Sequence, residues 1–195
     1  MDLIKKLSNT DIYLIDLILK GYISENDRIL DAGCGFGRNM NLFLTEGYSV
    51  QGFDPNEEAI HELQEHYPAS THSFSVDRIE TFSSTTPFDF VICNAVLHFA
   101  ENHAQFREQF KALTSFLSPS GILFIRMTSN IGLENTIEID KNGRAYLPDE
   151  SERYLLDEGI LSELLQETQL EFAEPLKTVN VNNLRWMSTL ILRKR

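Results

Sequence analysis

The residues with chemical potential in this 195-residue chain fall at the ends of apolar runs. Ile29-Leu30 leads into Asp31-Ala32-Gly33-Cys34-Gly35-Phe36-Gly37, an acid followed by three alternating glycines. A turn of this kind brings bare backbone close to a ligand, because a glycine has no Cβ to hold it off. Asp54 closes the next apolar run and is followed by Pro55 and Asn56. Its carboxylate can accept hydrogen bonds from both hydroxyls of a ribose, or it can open the following helix as a cap. Asp77-Arg78-Ile79 offers an acid and backbone amides, suited to the amino group and ring nitrogen of adenine, or equally to a solvated turn. Asn94 and His98 follow a fourth apolar run, where His98 reads either as a general base with a pKa near neutrality or as a structural histidine. Arg126 and Arg144 are candidate partners for an anionic group on a substrate, or surface ion-pair residues.

Spacing narrows the ligand. A dinucleotide turn wants G-x-G-x-x-G, and the residue after Gly37 is Arg38, which disfavours a pyrophosphate cradle. The formal net charge of −12 opposes nucleic acid, whose binding rests on a basic surface. No apolar run approaches the roughly 18 residues of a membrane span, and the two cysteines, Cys34 and Cys93, have neither disulfide framework nor metal-ligand spacing. The expectation is a soluble, cytoplasmic, single-domain protein acting on a small molecule, without a metal.

The elements that must position these residues alternate. Apolar periodicity predicts an N-terminal helical cap within residues 1–22, built on Leu3, Ile4, Leu7 and Ile12 to Leu19 and stopped by Gly21. Strands follow at 28–32, 49–54, 71–76, 88–97 and 121–127, with helices at 38–46, 56–66 and 102–117 between them. This is βαβ repetition around a parallel sheet. The pattern lapses over 128–150, long enough for a lid over the site or, given Thr136 to Asp140 and Asn142-Gly143, for a surface hairpin. A helix at 152–167 and two extended stretches joined by Asn182-Asn183 complete the chain.

Taken in order, Asp31 to Gly37, Asp54, Asp77 and the 88–99 segment resemble the class I S-adenosylmethionine-dependent methyltransferases across nearly the whole chain. The Gly37-Arg38-Asn39 and Glu46 to Val50 segments look like the tellurite-resistance and small-molecule branch. The resemblance implies a Rossmann-like α/β sandwich, a mostly parallel seven-stranded sheet with an antiparallel last strand. It implies S-adenosylmethionine as methyl donor, with S-adenosylhomocysteine as product, and in-line displacement by a small-molecule acceptor. The cofactor contacts it assigns are Asp31, Gly33, Cys34, Gly35, Gly37 and Arg38, then Asp54 and Pro55, then Asp77, Arg78 and Ile79, and finally Asn94. His98, from its position and ordinary pKa, is the candidate catalytic residue. A noncatalytic S-adenosylmethionine-binding module would carry the same first motif. No Asn/Asp-Pro-Pro-aromatic element follows the fourth strand, which argues against DNA or protein amides as acceptors. Thr168-Gln169-Leu170 and Pro119-Ser120-Gly121 depart from the usual Ala-Gly-Phe and Pro-Gly, leaving the substrate subfamily and the oligomeric state open.

Overall fold

A computed structural model describes residues 7, 9–132 and 137–195. Leu3, Ile4 and Thr136 lie outside the described residues. Helix α1 (Ile12–Leu19) is capped by Asp11, whose side chain accepts from the Tyr13 amide. Then come β1 (Arg28–Ala32), α2 (Asn41–Thr45), β2 (Ser49–Asp54), α3 (Glu57–His66), β3 (Phe74–Val76), β4 (Phe88–Asn94), α4 (His103–Ser115) and β5 (Leu117–Thr128). The chain continues through β6 (Arg144–Tyr146), β7 (Glu152–Tyr154), α5 (Glu158–Thr168), β8 (Leu170–Phe172), β9 (Lys177–Val181) and β10 (Arg185–Lys194).

The main sheet has the order β3-β2-β1-β4-β5-β10, parallel from β3 to β5, with β10 antiparallel to β5. Its last position is shared, since β8 pairs with the end of β10 and β9 with its beginning. Pro175 lies between these two edge segments. It cannot donate to a ladder, which suits the interruption. The seven expected strand positions are thus present, with the edge one divided.

The strands are apolar on both faces, as a covered parallel sheet requires. Ile29, Phe90, Ile92, Phe124 and Ile191 pack with Leu14 and Leu17 of α1 and Ile60 and Leu63 of α3. Leu30, Val91, Leu123, Ile125 and Leu190 pack with Phe106, Phe110 and Leu113 of α4 and Leu161 and Leu164 of α5. Helices on both sides close a three-layer sandwich. No helix among the described residues is long and apolar enough to cross a membrane.

Several boundaries move for local reasons. The helix expected from Arg38 begins at Asn41, because the amides of Met40 and Asn41 both bond the Gly37 carbonyl and hold 38–40 as a turn. Residues 68–73 wind as a 3-10 helix, so only Phe74–Val76 joins the sheet. The fourth strand stops at Asn94, where Ala95 takes φ 63°, and Leu97–Phe99 forms a 3-10 turn. The helix expected from Glu152 starts at Glu158, capped by Asp157. Its expected first turn is strand β7 instead. Asn182 and Asn183 form the predicted turn, both left-handed at φ 54° and 56°, with the Leu184 amide on the Val181 carbonyl at 3.0 Å. Gln169 caps α5 at φ 56°, a left-handed position that glycine usually fills.

The segment 137–154 is a hairpin beside the carboxyl ends of β4 and β5. Asn142-Gly143 turns as expected, the Gly143 amide bonding the Asp140 carbonyl, but the paired strands are β6 and β7, one stretch later. Tyr154 fastens this hairpin to the core. Its ring stacks on Phe106 with centroids 4.6 Å apart, and its hydroxyl meets His103 Nδ1 at 2.9 Å. A Cβ on Gly143 would lie 2.6 Å from His103 and 2.7 Å from Tyr154, so only glycine seats the turn there. Tyr154→Ala should cost about 3–5 kcal/mol, the usual range for a fully buried aromatic, whereas Tyr154→Phe should cost only about 0.5–1.5 kcal/mol for the hydrogen bond. Urea denaturation measures both, and equal losses in the two variants would place the anchor in the hydroxyl.

Candidate functional site

The glycine turn is stitched to the neighbouring strand before any side chain takes part. The amides of Gly33 and Cys34 both donate to the Phe53 carbonyl, at 2.8 and 3.0 Å. Gly33 and Gly37 are left-handed, and a Cβ at either would fall 2.5 Å from Val96 or Leu63 respectively. Gly35 differs. It too is left-handed, at φ 51°, but a Cβ there would meet nothing within 4 Å. Two glycines serve packing, and the middle one borders open space.

Asp54 grips this turn. Its Oδ2 accepts from the Gly35 amide at 2.8 Å and its Oδ1 from the Asn56 amide at 2.9 Å. The cap of α3 is Asn56, whose side chain accepts from Glu58 and Ala59. Beside Asp54 opens a cavity of about 360 Å³, within the size range of small-molecule sites, walled by Phe53, Pro55, Ile79, Val96 and Phe99. Arg78 also lines it. Asp77 stands behind the wall, its Oδ1 accepting from the Arg78 amide and the Thr81 hydroxyl. The far end is polar in a way the sequence reading missed. Glu80 Oε1 accepts from Gln105 and Gln109 of α4, each at 2.9 Å. Their i, i+4 spacing was the available signal.

A second group of polar residues lies on the sheet face under α1. Asp31 is in register with Ile92, Asn94 with Arg126, and Arg126 with Thr189. Side chains in register, or two residues apart, share a face, so β1, β4, β5 and β10 present Asp31, Asn94, Arg126 and Thr189 together. Burial raises the Asp31 carboxyl to about 7, with the charge of Asp54 adding to the shift and that of Arg38 opposing it. Its Oδ2 has no hydrogen-bond partner among the described residues. Arg126 reaches Asp11 Oδ2 with Nη1 at 3.5 Å and lies over the Tyr13 ring at 5.3 Å. Arg38 approaches the same oxygen at 3.9 Å, and Cys34 is a buried thiol packed in the core.

His98 is buried on the 3-10 turn, with Nδ1 unpartnered and its ring edge-on to Phe99. Burial, then the charges of Arg153, Arg185 and Arg126, hold it down to about 4, against a weaker pull from Asp149. It is therefore a neutral imidazole at neutral pH. Arg153 sits 4.8 Å over the Phe99 ring, and Arg185 reaches Asp149 at 3.7 Å. Arg144 has a different place from the one expected of a substrate residue. Its Nη1 donates to the Ala100 carbonyl at 2.5 Å and its Nη2 to Glu152 at 3.1 Å, so it ties the hairpin to the rim.

A family model described as a methyltransferase domain matches residues 8–174. The trans-aconitate 2-methyltransferase of Rhizobium rhizogenes (strain K84 / ATCC BAA-868) is 29% identical over 119 residues, 60% of this chain and 44% of that protein. That of Rhodopseudomonas palustris (strain BisA53) is 25% identical over 118 residues, again 60% and 44%. The chain thus spans about half the length of the curated relatives it matches. Among solved structures, a S-adenosylmethionine-dependent methyltransferase from Clostridium acetobutylicum ATCC 824 superposes with a TM-score of 0.72 at 14% identity, covering 100% of this chain and 92% of that one. TehB from Haemophilus influenzae gives 0.69 at 21%, covering 100% and 66%. At these identities the likeness establishes the fold.

The raised Asp31 carboxyl makes a prediction about pH. An acid that holds its proton more tightly folded than unfolded lowers stability as pH rises from its ordinary value near 4 toward 7. Between pH 4 and 7.5 the melting temperature of the wild type should therefore fall relative to that of Asp31→Asn. Parallel melting curves across this window would mean that the carboxylate is solvated.

Proposed function

The chain belongs to the methyltransferase-domain family, and on that premise we propose that it transfers the methyl group of S-adenosylmethionine to a small-molecule acceptor. The observation that carries this reading is the Asp54–Gly35 clasp: a carboxylate that lines the 360 Å³ cavity holds a bare left-handed glycine that borders open space. The residues fit the donor. When bound, it supplies a methyl on a positively charged sulfur, already activated toward a nucleophile. The unpartnered Oδ2 of Asp31 would take the ammonium of the methionine end. Gly35 admits that end against the backbone. Asp54 keeps lone pairs for the ribose hydroxyls while it holds the turn, and Phe53, Pro55, Ile79 and Val96 offer apolar walls to the adenine. Asp77 acts one step back, by holding the Arg78 amide and the turn that carries Ile79.

For the acceptor, the first class is a carboxylic acid. The relatives named for trans-aconitate support it, and so does the gathering of Arg126, Arg153 and Arg185 about His98 in a chain of net charge −12. A carboxylate is ionised at neutral pH and needs no base. Positioning it in line with the methyl can supply about 7–11 kcal/mol of the barrier. His98 is unprotonated at neutral pH, but a ring held down to about 4 is a weak base, which favours an acceptor that needs no deprotonation. The hairpin β6–β7 flanks this end of the site and is the segment we assign to covering the acceptor.

Two measurements test the proposal. Calorimetric titration with S-adenosylhomocysteine should show binding that Asp54→Ala weakens roughly tenfold to a hundredfold, the loss of charged hydrogen bonds worth about 1.5–3 kcal/mol. Unchanged affinity in a folded variant would remove Asp54 from the site. Screening carboxylic acids, trans-aconitate first, with a labelled methyl donor should yield a methyl ester. Cofactor binding without turnover of any acceptor class would point instead to a binding module.

A further inference from the structure

Buried polar atoms seldom lack a hydrogen-bond partner, so their distribution is informative. Among the described residues, seven buried side-chain atoms are unpartnered; His98 Nδ1 and Gln109 Oε1 lie elsewhere, and the other five, Asp31 Oδ2, Asn94 Oδ1 and Nδ2, Arg126 Nε and Thr189 Oγ1, belong to the row under α1. Asn94 is 7% exposed and Thr189 2%. Asp31 is accounted for by the donor. The remainder runs over β4, β5 and β10 and offers an amide N–H, a guanidinium N–H and a hydroxyl from adjacent strands. These donors call for a ligand rich in acceptor oxygens.

Arg126 is oriented for one. Nη1 faces Asp11, while the Nε edge has no partner, and guanidinium forks pair with carboxylates edge to edge. Asp11 is itself 7% exposed, spends Oδ1 on capping α1, and presents Oδ2 to both Arg126 and Arg38 at distances too long for tight pairing. It offsets the charge of the half-buried guanidinium without occupying the unpartnered edge.

We propose that Arg126, with Asn94 and Thr189, is the seat for a carboxylate of the acceptor, and that Asp11 is a resident counter-ion setting how strongly this seat attracts an anion. This rests on the methyl-transfer reading for its context, but the seat binds by charge and can be tested without turnover.

The test uses succinate and its neutral diamide, titrated into the full chain with and without saturating S-adenosylhomocysteine. Succinate should bind and the diamide should not. Asp11→Asn keeps a good helix cap and removes the charge, and should tighten succinate binding about three- to tenfold. Arg126→Gln should weaken it more than tenfold, and Thr189→Val severalfold, in proteins whose circular dichroism and melting remain those of folded chains. Equal binding of succinate and diamide, or succinate affinity indifferent to Arg126→Gln, would overturn the seat. Affinity unchanged or weaker in Asp11→Asn would overturn the counter-ion. Absence of S-adenosylhomocysteine binding would count against the methyl-transfer reading alone, since the anion titration is read independently.

Discussion

The Phe53 carbonyl is the point on which the site depends. By accepting from the amides of both Gly33 and Cys34, it lashes the turn after β1 to the end of β2. The next residue along β2, Asp54, then finds the Gly35 amide within reach of its carboxylate. One strand end thus holds the neighbouring turn by main chain and side chain together. The path of the turn leaves Gly33 and Gly37 against Val96 and Leu63, and turns Gly35 outward to open space. Backbone donors are met here by a neighbour that also carries the carboxylate proposed as the recognition group.

Charge in this protein is sorted by depth. The chain is acidic overall, yet the rim near His98 is framed by guanidiniums from β5, β7 and β10. Their field and the burial of the ring keep the imidazole uncharged, and burial of Asp31 likewise disfavours the charged form, raising its carboxyl to about 7. The two ends of the polar region differ instead in the sign of the groups that line them. One favours a cation beside Asp31, and the other favours an anion beside the arginines. That polarity is the basis for the proposed placement of a donor's ammonium at one end and an acidic acceptor at the other.

Much of this was legible in the residues. Apolar runs leading into Asp31 and Asp54 marked the ends of the first two strands, because a buried parallel strand and its polar exit are both local in sequence, whereas the fourth strand stops at Asn94, short of the expected residue 97. The Asn182-Asn183 turn was legible for the same reason. What was hidden depended on register. Thr189 sits inside an apolar run, and only the pairing of β10 with β5 sets it beside Arg126. For Arg144 the residues left a substrate partner and an ion-pair residue both open, and only the hairpin's path to the Ala100 carbonyl and Glu152 decides its contacts. The expected helix start at Glu152 failed because Tyr154 is worth more against Phe106 than on a helix surface. Gln105 and Gln109 share a helix face in any reading, but their partner Glu80 comes from a distant loop.

The divided edge of the sheet bears on how the molecule behaves in a crowd of its own kind. An open sheet ends in strands with unpaired backbone groups, which invite further strands to add and chains to associate edge to edge. Here one edge is β3, only three residues long, and the other is split around Pro175 into two short segments that pair with opposite ends of β10. Neither offers a long, straight template. The fold can therefore keep a strongly apolar parallel sheet at its centre while giving a neighbouring chain little to extend.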